Sequence, residues 1–150
     1  MQSQQSNKGF TLIELLVVIA VIGLLSLLTV LALGQKREQM RDIERLSNLR
    51  DVQAHLELYF VNNNAYPVAP APGKTLGAQD SSCLNNTGFA PTGCADAIMT
   101  NIPQDPGGFT YVYSSADGTT YTISAELEGE IEGFRGRLQA TPSFIQQVGN

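Results

Sequence analysis

The chain has 150 residues, of which 43% are hydrophobic and 15% charged, with a formal net charge of −5, one His, two Cys and no Trp. That length holds one ordinary domain, and the balance excludes a basic nucleic-acid-binding arm, a coiled-coil rod, a disulfide-dense miniprotein and a disordered acidic tail. The mean hydropathy of −0.04 is an average over two chemically different parts.

The first nine residues, MQSQQSNKG, are polar, carry one Lys (Lys8) and end at Gly9. From Phe10 to Leu33 the chain reads FTLIELLVVIAVIGLLSLLTVLAL, with Glu14 as its single charge. As a helix this block would reach about 36 Å, enough for a hydrocarbon core of about 30 Å. A bilayer demands internal satisfaction of the backbone, so a helix is the conformation expected here. An ionised carboxylate inside such a segment is costly unless paired and marks a functional position. The alternative is a Glu that snorkels at the membrane face without a partner.

The short basic leader ending in Gly9, followed by Phe10-Thr11-Leu12-Ile13-Glu14-Leu15, resembles the prepilin signal of type IV pilins and type II secretion pseudopilins. The resemblance is carried by about 20 residues, Lys8 to Leu28. It implies cleavage by a prepilin peptidase between Gly9 and Phe10 and N-methylation of Phe10. It also implies that Glu14 meets the N-terminal amine of a neighbouring subunit during assembly. Many members of that family carry a proline about two-thirds along this helix, where Leu31 stands here. Gly23 is the earlier glycine, weakening the helix locally by about 1 kcal/mol.

Two features pull the other way. Ala32-Leu33-Gly34 before Gln35 would suit a secretory signal peptidase, although the block far exceeds an ordinary hydrophobic region of about 7–15 residues. Lys36, Arg37 and Arg41 follow the block and only Lys8 precedes it. Charge counting alone would therefore hold the C-terminal side in the cytoplasm. The leader motif takes precedence over that count.

Residues 35–61 contain no Pro or Gly and balance five bases against five acids. Ile43, Leu46, Leu49, Val52, Leu56, Tyr59 and Phe60 recur at helical spacing, which predicts an amphipathic continuation of the helix. Arg41, Asp42 and Arg45 are close enough to form a mixed charge network on it, and Glu38 repels Asp42. Asn62-Asn63-Asn64 and Tyr66-Pro67 stop it. A helix from about Thr11 to Val61 would approach 75 Å. His55 reads as a helix-surface residue, since no ligand partners lie at metal spacing.

The remainder, residues 62–150, carries eight acids and three bases, so neither nucleic acid nor an anionic lipid surface is its default partner. Residues 67–108, rich in Pro, Gly, Ala and Asn, read as an irregular surface excursion. Within it Cys83 and Cys94 would form one disulfide in an exported head, worth about 3 kcal/mol by loop closure. Two free thiols would fit the opposite topology. Asn85-Asn86-Thr87 matches a glycosylation sequon by chance.

Phe109, Tyr111 and Tyr113, the turn at Asp117-Gly118, and Tyr121, Ile123, Ala125 and Leu127 predict a hairpin with one apolar face. Glu126, Glu128, Glu130 and Glu132 then predict a solvated acidic edge, loosened by Gly129, Gly133 and Gly136. The segment after Asn101 also resembles the C-terminal sheet of pseudopilins. That resemblance offers calcium as an alternative for the acids, with Asp105 and Asp117 as the named oxygen donors, but their spacing matches no EF-hand.

No catalytic constellation or phosphate loop is discernible. The expected fold is α+β and type IV pilin-like. It comprises a leader at 1–9, a membrane and assembly half-helix at 10–34, an amphipathic half at 35–61, and a head at 62–150 with a small antiparallel sheet. The expected function is a structural, non-enzymatic subunit, processed by prepilin peptidase and polymerised with copies of itself by pilus or type II secretion machinery. It would reside first in a bacterial inner membrane, single-pass with its head exported, then in an extracellular pilus or periplasmic pseudopilus. The alternatives are the major pseudopilin of a type II secretion system, or a single-pass anchored or secreted binding domain that does not polymerise.

Overall fold

The computed structural model describes residues 9–91 and 93–149, and for 31–33 the backbone alone. The expected leader residues 1–8, with Lys8, lie outside the described residues, as does the side chain of Leu31. One helix, α1, runs Leu12–Asn63, matching the uninterrupted run of helix formers between Thr11 and the Asn cluster. Its end follows a helix-capping rule: Asn64 adopts φ 55° and donates its N–H to the Phe60 carbonyl at 2.7 Å. A short polar residue tolerates this left-handed position better than a bulkier one.

The described residues divide into two units between Arg37 and Glu38. In the first, every large apolar side chain from Phe10 to Val30 is exposed, and the helix is long and apolar enough to cross a membrane. Two hydroxyls within it, Ser26 and Thr29, donate back to the carbonyls of Ile22 and Leu25 at 2.8 and 2.9 Å. Polar hydrogens on an apolar helix are thereby satisfied within the segment.

In the second unit, five strands form one antiparallel sheet. They are β1 (Ala69–Thr75), β5 (Val112–Ser115), β6 (Thr122–Ile131), β7 (Phe134–Ala140) and β8 (Ile145–Gln147), in the order β1-β5-β6-β7-β8. A smaller sheet holds β2 (Cys83–Asn85), β3 (Gly88–Ala90) and β4 (Ala97–Met99), in the order β3-β2-β4. The irregular excursion expected over residues 67–108 is thus corrected: four of its segments pair. Ladder hydrogen bonds compensate for poor strand propensity. Pro70 and Pro72 lie on β1, an edge strand, where a missing N–H costs least.

Leu46, Leu49, Val52, Leu56 and Tyr59 from α1 join Tyr111, Tyr113, Tyr121, Ile123, Ala125, Leu127, Leu138 and Ala140 in the core. Each buried Leu or Ile contributes about 2 kcal/mol from apolar surface removed from water. The expected helix stripe needs one change: Ile43 is exposed, while Asp42 and Arg45 are fully buried. The alternation of β6 puts Ile123, Ala125 and Leu127 inward, which is the predicted apolar face of the hairpin.

The loosening expected around Gly133 and Gly136 is also corrected. Ile131 pairs with Phe134, so Glu132 and Gly133 form a two-residue turn with φ 51° and 83°. Positive φ at both positions matches the twist of a hairpin, and β7 continues through Gly136.

Tyr121 is 1% exposed and its hydroxyl finds no hydrogen-bond partner among the described residues. Its neighbours are better served: Tyr113 donates to the Pro67 carbonyl at 2.7 Å and Tyr66 to Glu57 at 3.0 Å. Removing an unsatisfied buried donor relieves its desolvation penalty. Tyr121→Phe is therefore expected to keep or raise stability, by up to about 1 kcal/mol in denaturant unfolding, whereas Tyr113→Phe should lower it.

Candidate processing and assembly site

Gly9 and Phe10 precede the helix and both are exposed. Among the described residues, chain neighbours aside, no atom lies within 4 Å of where a Cβ on Gly9 would sit. The Gly9–Phe10 bond is therefore an accessible, non-helical peptide directly before a regular element.

Thr11 and Glu14 begin the helix by reciprocal capping. The Thr11 N–H and hydroxyl each donate to Glu14 Oε2 at 2.8 Å, and the Glu14 N–H donates to Thr11 Oγ1 at 3.3 Å. This is the Thr-x-x-Glu capping box, which satisfies two amides that a helix start leaves orphaned. The sequence contains its signature, yet Glu14 read only as a charge within an apolar run. In the full chain its carboxylate already has local donors.

The head contributes a second concentration of charge. The Arg45 guanidinium grips Asp105 with two bonds, Nε to Oδ2 at 2.6 Å and Nη2 to Oδ1 at 2.8 Å. It also reaches Asp42 at 2.7 Å and Glu128 at 2.7 Å, while Arg41 pairs with both oxygens of Glu128. Asp42, Arg45 and Asp105 have at most 1% side-chain exposure. Asp42 also accepts from the Glu128 and Gly129 amides at 3.0 and 2.8 Å, where the register between β6 and β7 shifts. A buried carboxylate thus serves backbone donors at an irregularity in the sheet. Gly107 completes the cluster, since a Cβ there would overlap the Arg45 guanidinium and the Glu128 carboxylate.

The expected acidic edge is solvent-exposed at Glu126, Glu130 and Glu132, Glu128 is more covered, and each of the four also has an arginine partner. Glu126 pairs with Arg137, Glu128 with Arg41 and Arg45, Glu130 with Arg135, and Glu132 with Arg50. Of the two oxygen donors named for calcium, Asp105 is no longer a free group. Asp105 is committed to Arg45 and to the Gly107 and Phe109 amides, and Asp117 accepts from the Thr119 amide and hydroxyl. Among the described residues no group of three or more His, Cys, Asp or Glu side chains is placed to hold a metal. His55 Nδ1 lies 2.8 Å from the Asp51 carbonyl on the helix surface. Cys83 and Cys94 are joined in a disulfide.

Residues 4–32 match the family model described as the prokaryotic N-terminal methylation motif. A type II secretion system core protein G from Pectobacterium carotovorum is 30% identical over 73% of this chain and 68% of its own length. The protein of the same description from Klebsiella michiganensis is 26% identical over 98% of this chain and 94% of its own. The chain belongs to the type IV pilin and pseudopilin family. No solved structure gives a significant match. As a pilin-family chain it is a subunit of a pilin-like filament, and its exposed apolar half-helix is the surface that this way of life requires.

For this pilin-family head, the charge cluster makes stability acid-sensitive. The hydrogen bond from Arg41, aided by Arg45 against the effect of burial, lowers the Glu128 carboxyl from 4.5 to about 2. Burial pushes Asp105 up, but the Arg45 guanidinium and the Gly107 and Phe109 amides outweigh it and leave its pKa lowered. Both groups bind a proton more readily when unfolded, so folding gains stability above the unfolded carboxylate pKa. That gain is lost as pH falls through the folded values. Thermal unfolding of the full chain in detergent should be nearly level from pH 7 to about 4.5 and fall steeply toward about pH 2.

Proposed function

We propose that the chain is the major, repeating subunit of a type II secretion pseudopilus. The observation that carries this reading is that its similarity to the core protein G chains runs through 98% of its length. A shared leader alone would be common to any prepilin; the shared head is not.

Prepilin peptidase cuts between Gly9 and Phe10 and methylates the new terminus. The apolar half-helix then holds the subunit in the inner membrane until it enters a bundle of like helices. There Glu14 exchanges its local capping donors for the amine of a neighbouring Phe10, and in low dielectric such a pair discriminates between correct and incorrect axial steps. The head lies on the exported side. The Cys83–Cys94 disulfide supports that side, because such bonds persist in oxidising compartments. Engagement of Arg41 by Glu128 also reduces the exposed positive charge that argued for the opposite orientation.

Mass spectrometry of the subunit from its native membrane tests the reading. The expected N-terminus is N-methyl-Phe10. A chain starting at Gln35 would identify a secretory signal, and an intact Met1 would identify an anchor that does not polymerise. Either result overturns the proposal. Loss of protein secretion on deletion of the gene is the second expected result and separates a pseudopilus from a surface pilus.

A further inference from the structure

Six arginines lie in the described residues, and five are ion-paired within the chain: Arg41, Arg45, Arg50, Arg135 and Arg137. Arg37 is the exception; it is exposed and no carboxylate among the described residues pairs with it. It belongs to the Lys36-Arg37 collar that follows the apolar block, the position where positive charge opposes export. Retaining a base there calls for a role that offsets this.

The head offers a matching surface. From residue 38 onward there are thirteen acids and six bases, so the second unit, helix stem and head together, carries a net charge of −7. Heads packed side by side repel one another unless a countercharge lies between them. A groove of about 1080 Å³ is lined by Glu38, Phe109, Thr110, Val112, Glu126 and Arg137, among others. Phe109 is 45% exposed, although the Arg45 guanidinium already stacks on it at 5.1 Å from the ring centroid. Glu38 has no ion-pair partner among the described residues, whereas Glu126 is shared with Arg137 at 3.4 Å. An aromatic plate flanked by carboxylates is the chemistry that recognises a guanidinium.

We infer that this groove receives Arg37 of a second copy of the chain. The guanidinium lies over Phe109 and pairs with Glu38 and Glu126, so that the collar of one subunit neutralises the head of another. This rests on the filament reading above, and deepens it by assigning a contact between the base of one helix and the head of a neighbour.

Fibre yield and cross-linking test it in full-length chains. Arg37→Gln should still accumulate in the membrane and be processed, but form at least tenfold fewer fibres than the unaltered chain. Co-expressed Arg37→Cys and Thr110→Cys copies should yield a disulfide-linked dimer under mild oxidation. Arg37→Cys with Ser143→Cys, which lines a different groove, should not. Normal fibre yield from Arg37→Gln, or equal cross-linking to positions 110 and 143, overturns the assignment while leaving the filament reading intact. Loss of Arg37→Gln from the membrane would show that the collar serves lipid head groups, and also overturns it. Absence of fibres from the unaltered chain would instead overturn the filament reading and this contact with it.

Discussion

Glu14→Gln is expected to insert and be processed like the unaltered chain, yet to reduce fibre yield by about tenfold or more, as seen by electron microscopy of sheared fibres. The substitution separates the capping role of this carboxylate from its proposed role in assembly. Gln serves at the third position of a capping box nearly as Glu does, so the bonds to Thr11 persist in kind. It cannot supply the negative charge that an N-terminal amine needs in an apolar bundle. Glu14→Ala removes both roles and should be at least as severe. If Glu14→Gln forms fibres normally while Glu14→Ala does not, the residue acts as a helix cap and its proposed pairing with a neighbouring Phe10 is wrong. Thr11→Ala then provides the third comparison, because it weakens the cap and keeps the charge.

Arg45→Ala should destabilise the head by about 3–5 kcal/mol, the usual effect of breaking a buried ion pair by removing one partner. The reason is what it leaves behind. Asp42 and Asp105 are at most 1% exposed, and without Arg45 the Asp105 carboxylate keeps only two backbone amides. A native domain has only about 5–15 kcal/mol of stability in all. Denaturant unfolding and protease resistance should both register the loss. Arg45→Lys restores the charge but not the planar fork that holds Asp105 with two bonds, so it should recover only part of the stability. Little effect from Arg45→Ala would mean that the cluster contributes geometry rather than stability.

Much of this architecture was legible along the chain. The apolar block, the helix after it, the stop at Asn62 to Asn64 and the hairpin turning at Asp117-Gly118 all follow from local periodicity and turn chemistry. Those signals involve residues a few positions apart, which is why they survive without a structure. The strands within 69–99 were not legible, since Pro, Gly and Asn there carry no alternation and only their partners hold them extended. Nor was the four-glutamate run interpretable by itself: its partners include Arg41, Arg45 and Arg50, more than 80 residues earlier.

By itself, then, the sequence determined the methylation motif, the apolar helix with its lone Glu14, and the buried face of the hairpin strand β6. The tertiary structure alone decided that Asp42 and Arg45 replace Ile43 on the buried face, and that Asp105 is an Arg45 partner rather than a free oxygen donor. It also decided that Arg37 is the one arginine without a carboxylate partner among the described residues. Periodicity specifies a face, because it depends on the geometry of one element; the partner of a charge depends on what other elements bring within about 3 Å.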